Sequence, residues 1–323
     1  MSQPSKKNDG LLPALLAHIQ REYVITWRLL ESNKKATFGC FLMGLFARLF
    51  ATPLSSTTFM RLLLNSLIAA FIYAYTFDIA NQATSVSEDA VSKPRRPIVA
   101  GLMGMDQAYR RWWISWVLGP MAIYALFGKW AALHLVLWEA WTTFCYVWPK
   151  INHWFFRNAF SAVGIISLLR LLNAVVCDFA PEWDMDVKPD LAVSLWLMFT
   201  VHVQEFHDVD GDRTSSRRTL PLVLTPAGVK KLRMATACFL VSHGSLILLW
   251  TWNYCSGPQH CGSMPFFTGL AHFAVASVMA FRTIRSTSKE MDEVTYFNHY
   301  HAAAFTLFIH LTQLYFLGKT QPA

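Results

Sequence analysis

The feature that most constrains the fold is a series of nine apolar segments, each about as long as the stretch that crosses a bilayer. A hydrocarbon core of roughly 30 Å requires about 20 mainly apolar residues in a helix. The segments occupy residues 37–54, 59–79, 108–127, 130–148, 154–176, 190–206, 232–252, 264–282 and 298–317. Hydrophobic residues make up 54% of the 323 residues and charged residues only 15%, which is too apolar for a soluble domain. The sequence therefore predicts an all-α polytopic membrane protein with about nine transmembrane helices.

No linker rich in Pro, Gly or Ser divides these segments, so residues 1–323 are predicted to form a single transmembrane domain. Residues 1–10 are polar and lack the apolar core of a cleaved signal peptide. Residues 1–36 are accordingly interpreted as a cytosolic N-terminal segment with a short, mobile start.

The distribution of positive charge predicts the orientation in the membrane. If the N-terminus and every second connection share one side, that side carries 22 of the 28 Lys and Arg residues. The connection at 177–190 on the other side is acidic, and 253–263 has no Lys or Arg. The positive-inside rule assigns the basic side to the cytosol. We expect an integral membrane protein of the endoplasmic reticulum whose active site opens toward the cytosol.

Two polar clusters lie where apolar segments end on this predicted cytosolic side. The first is Asn81-Gln-Ala-Thr-Ser85-Val-Ser-Glu88-Asp89, and the second is Glu205-Phe-His-Asp208-Val-Asp-Gly-Asp212. Carboxylates at a membrane face are costly unless cations satisfy them. Mg²⁺ suits such oxygen ligands and is commonly held by one or two carboxylates together with substrate phosphates. We predict a Mg²⁺ site with ligands from both halves of the chain: Asn81, Glu88, Asp89, Glu205, Asp208 and Asp212.

Basic residues follow each cluster and supply the positive charge that a metal-bound diphosphate needs. They are Lys93, Arg95 and Arg96 after the first cluster, and Arg213, Arg217 and Arg218 after the second. Apolar surroundings then imply a diphosphate with a hydrophobic tail. The net charge of +8 is interpreted as contact with anionic headgroups of the lipid bilayer and with this substrate. No nucleic-acid-binding module and no obligate protein partner are evident.

These residues resemble the motifs of the UbiA superfamily of intramembrane prenyltransferases. Its first motif and the basic tail of that motif overlay Asn81 through Gly101 without a gap, ending Lys93-Pro-Arg-Arg-Pro-Ile-Val-Ala-Gly101. The second motif overlays Glu205, Asp208 and Asp212, followed by Arg218-Thr-Leu-Pro221. Between them, Tyr146-Val-Trp-Pro-Lys150 and Asn158 resemble a Tyr/Lys patch of the superfamily. The resemblance covers nearly the whole chain and implies a UbiA-like helix bundle that acts on a prenyl diphosphate with Mg²⁺.

The chain departs from this pattern at three positions. Gln82 and Ser85 stand where the superfamily usually has aspartates, and Glu205 replaces the first aspartate of the second motif. Such a pattern is similar to that of the UbiA-type terpene cyclases of fungal secondary metabolism. The resemblance thus implies a cyclase acting on farnesyl or geranylgeranyl diphosphate. A prenyltransferase that uses an aromatic or other acceptor is the alternative, and a transporter or non-catalytic membrane protein is a third.

The roles implied by the resemblance fall into two sets. The residues expected to be catalytic are Asn81, Asp89, Lys150, Asp208 and Asp212. Those expected to bind the substrate diphosphate are Lys93, Arg96, Lys150 and Arg213. Aromatic side chains would stabilise the allylic cation that forms on ionisation, and the candidates are Trp112, Trp113, Trp116, Trp138, Trp141, Phe144, Trp154 and Phe155. A disulfide between Cys255 and Cys261 is predicted in the non-cytosolic connection, with free thiols as the alternative.

Overall fold

The computed structural model describes residues 11–149, 151–256 and 263–320, and this part of the chain contains helices and no strands. The α-helices are α1 Leu11–Leu30, α2 Lys34–Ala51, α3 Ser56–Thr84, α4 Val86–Ser92, α5 Met105–Thr142, α6 Trp154–Cys177, α7 Val187–Thr200, α8 Val209–Thr214, α9 Leu220–Val223, α10 Pro226–Ser256, α11 Met264–Arg285, α12 Lys289–Val294 and α13 His301–Thr320. The predicted all-α class is confirmed. The disulfide prediction involves Cys261, which lies outside the described residues.

Each of the nine predicted apolar segments overlaps a helix. Segments 108–127 and 130–148 both fall on α5, which is interrupted at Gly128 (φ 79°, ψ −178°), a conformation that favours glycine. A Cβ at Gly119 would lie 3.7 Å from the Leu135 side chain. Residues 16 apart on a straight helix are about 24 Å apart, so α5 folds back on itself at Gly128.

Five helical stretches in the described chain are long and apolar enough to cross a membrane by length and composition. They are Ser56–Thr84, Met105–Val147, Trp154–Cys177, Pro226–Ser256 and Met264–Arg285. Their outward faces carry large exposed apolar side chains, such as Leu118 on α5 and Leu246 and Trp250 on α10. Such faces suit lipid better than water, so the chain is an integral membrane protein. The count of nine crossings stays a prediction.

The core lies among α2, α3, α6, α7 and α13. Phe41, Leu62, Leu172 and Phe308 are fully buried there, and α10 packs with α11 beside this group. Gly44 allows α2 to approach α6, because a Cβ at that position would come within 2.3 Å of Leu172. The packing of these helices leaves a cavity between them at the end where both polar clusters lie.

Helix α1 lies within residues 1–36, where the sequence analysis placed no apolar segment, and the predicted mobile start falls outside the described residues. Ile25 and Leu29 on one face are buried against Ile79 of α3 and Met103. Arg111 of α5 also forms a 2.6 Å ion pair with Glu22. Burial of these apolar side chains fixes the second half of α1 to the bundle.

Candidate active site

A cavity of about 300 Å³ lies within the bundle and has a polar and an aromatic part. The polar residues that line it include Asn33, Asn81, Glu88, Lys93, Arg96, Arg157, Asn158, Gln204, Glu205, Asp208 and Arg217. They lie at helix ends or between helices, on the side predicted to be cytosolic. The aromatic residues that line it are Tyr73, Phe77, Trp138, Tyr146, Phe160, Tyr296, Tyr300, Phe305 and Phe308. A ligand with a polar head and an apolar tail matches this division.

The helices are irregular where they border the polar part. A 3₁₀ segment at Val201–Phe206 follows α7, and π-helical turns occupy Thr143–Val147 and Thr295–Tyr300. Each contributes side chains to the cavity, including Tyr146, Glu205 and Tyr296. Irregular turns of this kind change the direction of side chains and recur at functional sites.

The first polar cluster is held by its own hydrogen bonds. Ser85 separates α3 from α4, and its hydroxyl donates to the backbone oxygen of Asn81 at 2.6 Å and to Asp89 Oδ2 at 3.2 Å. Arg96 Nη1 lies 2.7 Å from both oxygens of Asp89, and both side chains are buried. Asp89 is therefore neutralised by Arg96, and Asn81 and Glu88 are the residues of this cluster that reach the cavity.

Gln82 belongs to the same helix end, but its side chain faces α1 rather than the cavity. Its side chain is buried and donates to the backbone oxygen of Leu29 at 2.8 Å. It is not among the residues that line the cavity. The amide that stands at the usual aspartate position thus connects the end of α1 to α3.

A network of ion pairs connects the two polar clusters. Arg217 pairs with Glu88 of the first cluster and, at 3.3 Å, with Asp212 of the second. Arg157, in the first turn of α6, lies 3.7 Å from Asp212 and 3.3 Å from Glu205. Because the network spans α4, α6, α8 and the 3₁₀ segment, it holds together the two halves of the chain at the polar part of the cavity.

Asp208 is the carboxylate of the second cluster with the least support from cations. Its side chain is 51% exposed, it lines the cavity, and its Oδ1 lies 3.6 Å from His207 Nε2. Glu205 and Asp212 are buried by comparison and bound by arginines. Asp208 is therefore placed to meet a ligand rather than the protein.

The donor set can be tested for its fit to a divalent cation. Within the described residues, no three acidic, His or Cys side chains converge as a ready-made metal centre. Mg²⁺ is usually held by one or two carboxylates and substrate phosphates, so a complete protein cage is not required. Asn81, Glu88 and Asp208 offer oxygen donors at the cavity, and the buried Asp212 Oδ2 has no hydrogen-bond partner in the described chain. This oxygen-only set fits Mg²⁺ bound together with a diphosphate.

The predicted diphosphate-binding residues are placed differently from one another. Lys93 and Arg96 line the cavity, and Arg96 Nε and Nη2 have no hydrogen-bond partner within the described chain. Burial, followed by repulsion from Arg96, lowers the pKa of Lys93. Arg213 instead pairs with Asp210 at 3.1 Å on the exposed surface and does not line the cavity. Lys150 lies outside the described residues.

The chain matches the UbiA prenyltransferase family over residues 38–302. The chain belongs to that family. It is 27% identical over 262 residues to polyprenyl transferase eriF of Hericium erinaceus, which covers 76% of this chain and 82% of that protein. Diterpene cyclase eriG of the same fungus is 28% identical over 231 residues, covering 69% and 67%, respectively.

Two more distant likenesses agree with this family. Somaliensene A/B synthase of Streptomyces somaliensis is 23% identical over 288 residues, which cover 86% of this chain and 89% of that one. A solved structure from work on digeranylgeranylglyceryl phosphate synthase in membranes has a TM-score of 0.61 at 14% identity, covering 91% and 99%. The latter likeness concerns the fold alone. The UbiA resemblance inferred from the motifs is confirmed, and the chain is an enzyme of the UbiA family.

In this UbiA family member, sequence analysis missed two arginines of the cavity. Arg157 was not among the predicted site residues, although it directly precedes Asn158 of the Tyr/Lys patch. Arg217 was one of three arginines after the second cluster, and nothing in the sequence separated it from Arg213. The structure distinguishes Arg217 from Arg213, because Arg217 lies between Glu88 and Asp212 and pairs with both.

Of the eight aromatic candidates in this UbiA chain, Trp138 alone lines the cavity. Its ring stacks on Tyr73 with 5.1 Å between centroids and lies 5.0 Å from Phe160. The Tyr73 hydroxyl donates to the backbone oxygen of Gly164 at 2.8 Å. A Cβ at Gly164 would lie 3.1 Å from two ring carbons of Trp138, so this glycine makes room for the stacked wall.

Proposed function

We propose that this UbiA enzyme is a Mg²⁺-dependent terpene cyclase that ionises a prenyl diphosphate and cyclises the resulting allylic cation. The observation that carries the proposal is a cavity in which residues of both motifs meet a wall of aromatic rings. Farnesyl and geranylgeranyl diphosphates have the anionic head and the apolar tail that match its two parts. The diterpene cyclase and somaliensene synthase among the relatives support this reaction class.

The polar part of the cavity would bind the diphosphate and stabilise its departure. Lys93 and Arg96 line the cavity and would hold phosphate oxygens by charge-assisted hydrogen bonds. Arg157 and Arg217 contribute further positive charge while their carboxylate partners keep them in place. Negative charge grows on the leaving group during ionisation, so donors fixed in advance around it lower the barrier.

Oxygen donors in the same region would hold Mg²⁺. Asn81, Glu88, Glu205 and Asp208 line the cavity, and Asp89 and Asp212, which do not line it, pair with arginines beside it. When bound, Mg²⁺ neutralises the diphosphate and makes it a better leaving group. Asp89 and Asp212 would serve this set mainly by fixing Arg96, Arg157 and Arg217.

The aromatic part of the cavity would bind the tail and stabilise the cation. A cation over an aromatic face gains about 0.5–2 kcal/mol, and more when it is desolvated. Tyr73, Trp138 and Phe160 form a stacked group in this wall, and Tyr296 stacks on Tyr300 with 5.5 Å between centroids. Because these rings would exclude water, the nearest nucleophiles for the cation would be the double bonds of the prenyl chain itself.

The decisive experiment omits any acceptor. Membranes containing the protein are incubated with farnesyl or geranylgeranyl diphosphate and Mg²⁺, and volatile products and released diphosphate are measured. A cyclic hydrocarbon or its hydrated alcohol, lost on chelation of Mg²⁺, is the expected result. Release of diphosphate only when an aromatic acceptor is added would support a prenyltransferase instead, the activity named for the relative eriF.

We also propose that the protein resides in the endoplasmic reticulum with the cavity open to the cytosol. The polar residues of the cavity lie on the side that carries most of the Lys and Arg residues. A cytosolic opening would give the site access to Mg²⁺ and to soluble pools of diphosphate.

A further inference from the structure

A buried carboxyl that belongs to neither motif lies directly beside the first one. Asp78 of α3 is fully buried, one turn before Asn81. Positions 78, 81, 82 and 85 follow the spacing of a single helix face. Gln82 and Ser85 are uncharged on that face, and Asp78 therefore supplies a carboxyl one turn earlier than the usual motif.

The partner of Asp78 is Asn33, in the short connection between α1 and α2. Asn33 Nδ2 donates to Asp78 Oδ1, and Asp78 Oδ2 has no hydrogen-bond partner in the described chain. The NH₂ group of the Asn33 amide therefore faces Asp78. One N–H is then used by Asp78, and the second is left as a donor.

Asn33 also lines the cavity, in the company of Lys93 and Arg96. Asn33 thus places the pair at the polar part of the cavity. A carboxylate behind an amide polarises its N–H groups and strengthens the hydrogen bond that they donate to another anion.

The connection that carries Asn33 is fixed from a second point. The Leu29 backbone oxygen accepts the hydrogen bond from Gln82, and Leu29 itself is fully buried. The end of α1 is thus attached to α3 on both sides of Asn81, by Gln82 and by Asp78. Two attachments on one helix turn restrict where the Asn33 amide can point.

We propose that Asn33 contacts the diphosphate of the substrate and that Asp78 is the positioning residue that orients its amide. The inference rests on the prenyl diphosphate substrate proposed above. It assigns part of the diphosphate pocket to the connection before α2, outside both motifs.

The test compares substrate binding with turnover in the full-length protein. Asn33→Ala is expected to raise KM for the prenyl diphosphate about tenfold or more, the cost of a lost hydrogen bond to a charged group, and to change kcat less. Affinity for a prenyl thiodiphosphate, whose C–S bond resists ionisation, should fall by the same factor. Asp78→Asn keeps the shape and an acceptor but removes the charge, so it should fall between wild type and Asn33→Ala.

Asn173→Ala is the matched control. Asn173 is also buried and donates to a carboxylate, Asp184, at 2.8 Å, but it does not line the cavity. This variant should lower the midpoint of thermal unfolding and leave KM and analogue affinity unchanged. If Asn33→Ala does not fold, Asn33→Ser and Asp78→Asn provide the same comparison.

Two results separate this inference from the proposed function. The inference would be overturned if Asn33→Ala kept analogue affinity and KM within about twofold of wild type and lost stability as Asn173→Ala does. The pair of Asn33 and Asp78 would then have a purely structural role. A wild-type protein that neither binds the analogue nor releases diphosphate would overturn the proposed function itself. If the wild-type protein binds the thiodiphosphate analogue but shows no turnover, the analogue affinity of Asn33→Ala still tests the role of Asn33.

Discussion

At the scale of single residues, the carboxylates of the two motifs differ in what they contact. Asp89 is buried against Arg96, whereas Asp208 is half-exposed at the cavity beside His207. A carboxylate already neutralised by a guanidinium contributes mainly to structure. The two motifs therefore contain both residues that face a ligand, such as Asp208, and residues that hold the protein together, such as Asp89.

Asp208→Ala is expected to reduce turnover by at least about a hundredfold, because it removes an oxygen donor that meets the charge of the reacting diphosphate. Asp210→Ala is the control, since Asp210 is two residues away, exposed and paired with Arg213. Diphosphate release at saturating Mg²⁺ measures both. Near-normal turnover of Asp208→Ala would contradict its assignment to the site.

Gly164→Val should favour a shorter prenyl diphosphate, because its side chain would push Trp138 into the cavity. Product yields from farnesyl and geranylgeranyl diphosphate, measured side by side, give the preference. Gly269→Val is the control: a Cβ there lies 3.2 Å from His310, a ring that does not line the cavity. An unchanged preference in Gly164→Val would show that this wall does not limit tail length.

At the scale of helices, short elements rather than the long ones assemble the site. Helices α4 and α8 are seven and six residues long, too short to be stable alone in water. The pairs that Arg217 makes with Glu88 and Asp212 hold them against each other. Ion pairs between the two halves of the chain thus keep α4 and α8 ordered, which their short length alone would not.

Arg217→Ala should lower the midpoint of thermal unfolding in detergent and reduce turnover more than tenfold. Glu88 and Asp212 would each lose a partner, at a cost of about 2 kcal/mol for partly exposed pairs, between the values typical of surface and buried ones. Arg218→Ala serves as the control, because Arg218 is exposed and its backbone N–H, not its side chain, binds Asn152. Equal effects of the two variants would argue against the network.

At the scale of the whole molecule, orientation decides whether the cavity meets the cytosol. Asp210 lies beside the cavity entrance, and Glu182 lies in the acidic connection predicted for the opposite face; both are exposed. In sealed microsomes, a membrane-impermeant thiol reagent should label Asp210→Cys above the wild-type background. Glu182→Cys should be labelled only after permeabilisation. The reverse pattern would invert the predicted topology.

The sequence by itself determined the all-α membrane fold, the UbiA family and the positions of both motifs. Hydropathy over about 20 residues is a local property, and so is the spacing of Asn81, Asp208 and Asp212 from the ends of their apolar segments. The break at Gly128 also coincides with the boundary between two predicted segments. Each of these features can be recognised without knowing which segments pack together.

Only the tertiary structure decided which residues meet at the cavity. Arg157 reaches Glu205 across 48 positions of the chain, and Asn33 reaches Asp78 across 45. Trp138 lines the cavity while Trp141, three residues later, does not. Ion pairing and burial depend on distances between separate helices, which vary with packing angles that no single segment encodes. For that physical reason, the motifs were recognisable in the sequence, but the roles of their residues depended on the fold.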